Sequence, residues 1–172
     1  MLLTEDVVFR SRFGAVSFSA ECLAVFTYYQ QAKATSREAG GQLFGDIADL
    51  RTMRIRVATG PTRGAVRTRY SYQPDRRQEN REIAAYHKKG LHYLGDWHSH
   101  PEPHPTPSAS DTEKLAAILG QSRHDLNCLL MVIVGTSELP GGLWVSTVTA
   151  GANEQALREQ WPLDHPCTGV PS

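Results

Sequence analysis

The chain has 172 residues, 40% hydrophobic and 21% charged, the balance of one globular domain rather than of two domains or a disordered segment. Its 18 basic and 18 acidic residues cancel to a formal net charge of zero, which argues against generic binding to a nucleic acid. No apolar run approaches the roughly 20 residues of a membrane span, and three cysteines without a Cys-x-x-Cys pair indicate neither a disulfide framework nor a cysteine zinc knuckle.

The N-terminus lacks a basic region followed by a long apolar core, so no signal peptide is visible and a cytoplasmic location is expected. Ser19 precedes a helical spacing of apolar residues, Leu23, Phe26 and Tyr29, which predicts a helix from about Ala20 to Thr35 with Ser19 as its N-cap. The paired glycines of Glu38-Ala-Gly-Gly-Gln-Leu-Phe-Gly45 permit close backbone approach at the start of an apolar strand. Arg54 to Thr59 alternates as a half-buried strand, and Thr68 to Tyr72 reads as another. The basic run Arg63 to Arg69 is read as a solvated loop and strand edge.

Asp75 to Lys89 forms a charged helix that Gly90 ends. Leu91 to Trp97 is a strand running straight into His98-Ser99-His100. Four prolines between Pro101 and Pro107 exclude regular structure there. Ser110 to Gln121 is a third helix, with Leu115, Ile118 and Leu119 apolar. Leu126 to Val134 is a central strand, and Leu143 to Val148 another. The expected fold is a single α/β domain over residues 1–172, a mixed sheet with flanking helices. Its core spans about 14–150, and 151–172 form a C-terminal tail.

His98 and His100 stand two apart at a strand end, and in extended backbone such residues share a face. Asp111 follows His100 by eleven residues, in the first turn of the third helix, so the proline-rich loop can bring its carboxylate back to the imidazoles. Three such ligands leave a tetrahedral zinc ion one open position, the arrangement of a catalytic site rather than a structural one. Water bound there has a pKa of about 7. A proton carrier is still needed. Glu38 is the candidate, with Glu102 of the proline loop as the alternative. Ser108 is placed either to donate to an oxyanion or to cap the third helix, a role open to Ser110 as well.

Together Glu38, His98-Ser-His100-Pro101, Ser108 and Asp111 resemble the pattern of the JAMM metalloproteases, also called MPN-plus or JAB proteins. The segment Glu38 to Gly45 is similar to that family's strand after the glutamate, and the likeness runs over roughly 16–148. The resemblance implies a cytidine-deaminase-like α/β fold. It implies one Zn²⁺ per chain held by His98, His100 and Asp111, with Glu38 as general base and acid and Ser108 steadying the oxyanion. It implies an isopeptidase or peptidase that removes a ubiquitin-like or otherwise E1/E2-conjugated protein from its target by attack of a metal-activated water. The wording Tyr93 to Pro101 is most similar to bacterial JAB proteins encoded in antiphage operons, either CBASS or those resembling a eukaryotic ubiquitin-like modifier pathway. The competing reading is a non-catalytic MPN scaffold within a larger assembly. A zinc nucleobase deaminase is excluded, because neither His-x-Glu nor Pro-Cys-x-x-Cys occurs.

Overall fold

A computed structural model describes residues 6–11, 14–49, 52–121, 128–150 and 156–160. Within them the elements run β1 (Val7–Ser11), β2 (Gly14–Phe18), α1 (Ala20–Tyr28), β3 (Gly40–Asp49), β4 (Thr52–Ala58), β5 (Val66–Arg67), β6 (Tyr72–Gln73), α2 (Arg76–Lys88), β7 (His92–Ser99), α3 (Ala109–Gln121), β8 (Cys128–Val134), β9 (Leu143–Ala150) and β10 (Ala156–Gln160). Eight strands form one mixed sheet in the order β1-β2-β4-β3-β7-β8-β9-β10, and β5 and β6 make a separate ribbon. Only β2/β4 and β7/β8 pair in parallel among the described strands. The expected α/β architecture is therefore present, with the sheet running from Val7 to Gln160. The sheet reaches past the expected core of about 14–150, because β1 pairs with β2 and β10 with β9; Leu126 and residues 151–155 and 161–172 of the expected tail fall outside the described residues.

Each face of the sheet carries a core. Strand β8 shows why its sequence reads as an unbroken apolar run: it is buried on both sides. Leu130, Val132 and Val134 join Phe18, Leu23, Phe26, Leu43 and Trp97 on the α1 face. Leu129, Met131 and Ile133 join Ile118 of α3 and Tyr93 on the other. Helix α2 shares that second face, where Tyr86 stacks on Phe44 at 4.3 Å between ring centroids. The side chains of Leu115 and Leu119 lie outside the described set.

Two local expectations are corrected. Helix α1 stops at Tyr28 rather than near Thr35, because the next side chains serve other segments. Gln30 donates to the Gly135 and Ser137 carbonyls, both at 2.8 Å, and Gln31 to the Arg69 carbonyl at 2.8 Å. Tertiary bonds here override helical propensity. Thr68–Ser71 is a turn rather than part of a strand, closed by the Thr68 N–H on the Ser71 carbonyl at 2.9 Å. The ribbon strands flank it.

Strand β7 positions the chemistry, and a bulge sets its phase. Leu43 pairs with Gly95 while Phe44 pairs with Tyr93, leaving Leu94 unpaired. Gly95 holds φ +148, and a Cβ there would collide with the Leu130 carbonyl of β8; glycine alone fits both demands. Beyond the bulge, Asp96 and His98 face α2 and α3, whereas Trp97 and Ser99 point into the α1 core.

Candidate metal centre

The two histidines arrive from the carboxyl end of β7. His98 lies within the strand, opposite Gly40 of β3 and Ile133 of β8. His100 follows it and donates its N–H to the Val134 carbonyl at 2.9 Å. Their Nε2 atoms lie 3.1 Å apart.

Asp111 is delivered by the first turn of α3. Ser108 precedes that helix and caps it: its Oγ accepts from the Asp111 N–H at 3.2 Å, and the Asp111 carboxylate accepts from the Ser108 N–H at 2.8 Å. This reciprocal capping box fixes the carboxylate within the turn. The Ser108 hydroxyl also donates to Asp111 Oδ2 at 2.7 Å. Asp111 Oδ1 stands 3.4 Å from His98 Nε2, and Oδ2 stands 3.6 Å from His100 Nε2.

The two Nε2 atoms at 3.1 Å, each with a different Asp111 oxygen at 3.4 or 3.6 Å, stand near the roughly 3.3 Å that separates donors held at ~2.0–2.1 Å by a tetrahedral ion. The donor set is consistent with that. Burial and the neighbouring His98 hold the His100 imidazole below its usual pKa, in the neutral form that ligates. Burial works to raise the Asp111 carboxyl, but hydrogen bonding and charge from His98, with the bonds from Ser108, outweigh it and hold the group well below the usual carboxylate range.

A second carboxylate reaches the same point from the segment just before β3. Glu38 is buried, at 8% exposure; its oxygen and the two imidazole nitrogens all lie within 4.8 Å of one another. Desolvation raises its pKa, an effect His98 opposes and Asp111 reinforces. Glu102 is 57% exposed and approaches only His100 Nδ1, at 3.6 Å. The structure thus brings Glu38, His98, His100 and Asp111 together, sets Ser108 beside Asp111, and leaves Glu102 at the rim. A cleft of about 70 Å³ runs from His98 and Asp111 between α2 and α3, walled by Tyr72, Arg76, Glu79, Asp96 and Ile118.

Ser99 carries a part that the sequence reading gave it no share in. It is fully buried, and its Oγ accepts the Ala39 N–H at 2.9 Å and donates to Gln31 Oε1 at 3.2 Å. Its own N–H meets the Ala39 carbonyl at 2.8 Å. The residue after Glu38 is therefore locked to the residue between the histidines. The signal was available: alternation along a strand must turn a residue between two ligands toward the core, where a hydroxyl needs partners. Asp96 shares the face of His98 but bonds elsewhere, accepting from the Tyr93 hydroxyl at 2.8 Å.

The sequence pattern described as prokaryotic homologs of the JAB domain matches residues 22–158. The chain belongs to that family. A CD-NTase/cGAS isopeptidase of Pseudomonas aeruginosa is 35% identical to this JAB chain over 127 residues, covering 71% of it and 78% of the relative. A protein of the same name from Enterobacter hormaechei is 35% identical over 106 residues, 60% of this chain and 58% of the relative. The "Probable metalloprotease y4qB" of Sinorhizobium fredii is 28% identical over 121 residues, 67% and 74% of the two chains. By these relatives the JAB chain is a hydrolase. A protein from Desulfitobacterium hafniense, DSY2949, shares the fold at 18% identity with a TM-score of 0.55, over 83% of this chain and 88% of that one. A protein from Salinibacter ruber does so at 19% and 0.51, over 90% and 94%.

Proposed function

We propose that this JAB chain is a zinc-dependent isopeptidase that releases a protein conjugated through its C-terminus to a target, in the bacterial cytoplasm and in the service of antiphage defence. The convergence of His98, His100 and Asp111 at 3.1–3.6 Å, with the buried Glu38 carboxylate beside them, carries the reading. The names of two relatives, CD-NTase/cGAS isopeptidases, support the substrate class.

His98, His100 and Asp111 would hold the ion, and Asp111 is preferred to Glu38 as the third ligand because its oxygens lie against both imidazoles and its low pKa keeps it anionic. A zinc ion so held supplies a Lewis acid and brings the pKa of a water to about 7. Glu38 accepts the proton of the attacking water and returns it to the departing amine, a role supported by its buried carboxylate lying beside the two imidazoles. The Ser108 hydroxyl, now donating to Asp111, turns its proton to the oxyanion when substrate arrives.

The test is a fusion of a CD-NTase, through its C-terminus, to a reporter protein. The purified zinc-loaded enzyme is expected to cut once, at the junction, with the cut lost on chelation. His98→Ala should lose the metal by elemental analysis. Glu38→Ala should keep it while turnover falls by about 10²–10⁴. Zinc loss in Glu38→Ala would make Glu38 a ligand instead, and an uncut fusion with zinc in place would favour a non-catalytic scaffold.

A further inference from the structure

Glu38 precedes β3 and lies outside the ladder bonds that hold His98 on both sides. Its backbone is taken up by the β5–β6 ribbon. The Glu38 N–H donates to the Thr68 carbonyl at 2.7 Å, and the Glu38 carbonyl accepts from Arg67 Nε at 2.7 Å. Arg67 Nη2 reaches the Arg37 carbonyl at 3.2 Å, so one guanidinium clasps two successive carbonyls. The same guanidinium sits 5.8 Å from the centroid of the Tyr29 ring. That ring lies 5.8 Å from the ring of Trp97, the residue before His98. A single cation therefore joins the backbone of the proposed proton carrier to Tyr29, whose ring packs against Trp97.

We propose that Arg67 is a positioning residue for Glu38. The inference rests on the reading of Glu38 as the proton carrier and goes beyond it. The guanidinium presents its donors in a rigid fork, and charge-assisted bonds are roughly twice as strong as neutral ones. Without it, the Glu38 peptide keeps only Thr68 before it and Ser99 after it, and the carboxylate samples a wider arc. Arg67 touches no reacting atom. It acts by holding Glu38 where a proton can be exchanged.

Arg69 provides the contrast. Its Nη1 donates to the Lys33 and Ala34 carbonyls at 3.0 and 2.6 Å. It anchors the same ribbon with the same chemistry but has no bond to Glu38. A ribbon that merely needs anchoring would suffer equally from the loss of either arginine.

The experiment compares Arg67→Ala, Arg67→Lys, Arg69→Ala and Glu38→Ala, each zinc-loaded, on the CD-NTase–reporter fusion. Zinc content and amide hydrogen exchange at Glu38 are measured alongside, and the exchange needs no substrate. Arg67→Ala is expected to lower kcat between about tenfold and a hundredfold, with KM and zinc content unchanged, as a misplaced group does. Its Glu38 amide should exchange faster. Arg67→Lys, which keeps the charge and one donor, should recover part of kcat and keeps the test open should the alanine variant fold poorly. Arg69→Ala should stay near the wild-type kcat. Wild-type kcat and exchange in Arg67→Ala, or an equal fall in Arg69→Ala, would overturn the proposal while leaving Glu38 in its role. Wild-type turnover by Glu38→Ala would instead remove the reading on which it rests.

Discussion

Ser99 sits between the two histidines and faces away from both, so its contribution is architectural. Its hydroxyl satisfies the buried Ala39 N–H and the Gln31 side chain together, tying the residue after Glu38 to the strand of the histidines. An alanine there would strand a buried donor, which costs about 1–3 kcal/mol. Ser99→Ala is accordingly expected to unfold at lower denaturant, with an unchanged m-value, while still binding metal through its two neighbours. A midpoint equal to that of the wild type would mean that Ala39 finds another acceptor. Glu38 and Asp111 show the same principle in electrostatic form. Two carboxylates facing one imidazole pair are pushed in opposite directions, the first upward by burial and the second downward by the bonds it accepts.

At the scale of elements, α2 packs onto β7 through a buried acid. Glu79 is 3% exposed, and its carboxyl is pushed up to about 7 by burial and then by Asp96, against the pull of Arg76 at 2.8 Å. The folded state thus holds a proton that the unfolded chain has released above its ordinary carboxyl value. Stability from this group is complete below that ordinary value and fades as pH rises through about 7. Asp96, also raised by burial, acts with the same sign. Glu79→Gln cannot ionise, so its melting temperature should fall less than that of the wild type between pH 5 and pH 8. The gap corresponds to a stability difference on the order of 1–3 kcal/mol. Parallel melting curves would show that Arg76 neutralises the acid fully.

Across the whole molecule, the strands and the site differ in how openly the sequence displays them. Strand β8, the β7 strand that carries His98 and leads into His100, and the caps at Ser19 and Gly90 all follow from local pattern, and the structure has them. The four converging side chains were also legible, because residue chemistry and spacing restrict what they can do. What the pattern hides depends on distant partners. The glutamines after Tyr29 end α1 by bonding to loops that lie far along the chain, at Arg69, Gly135 and Ser137. Arg67 reads locally as one more charge in a basic run, yet its fork closes on carbonyls 29 and 30 positions away.

His98 is held by its place between β3 and β8, and Asp111 by the capping box of α3. Each is thus held by bonds of the chain itself, whereas the ligands of a zinc finger fold only around their metal. Stripping the metal should then leave the circular dichroism spectrum intact and lower the melting temperature only by the mass-action contribution of a bound ligand. Loss of secondary structure on chelation would show that the ion staples the fold. With folding and loading separate, a cell could keep a finished but silent stock of this enzyme, and the activity proposed for it would then track the supply of its metal rather than the rate of synthesis.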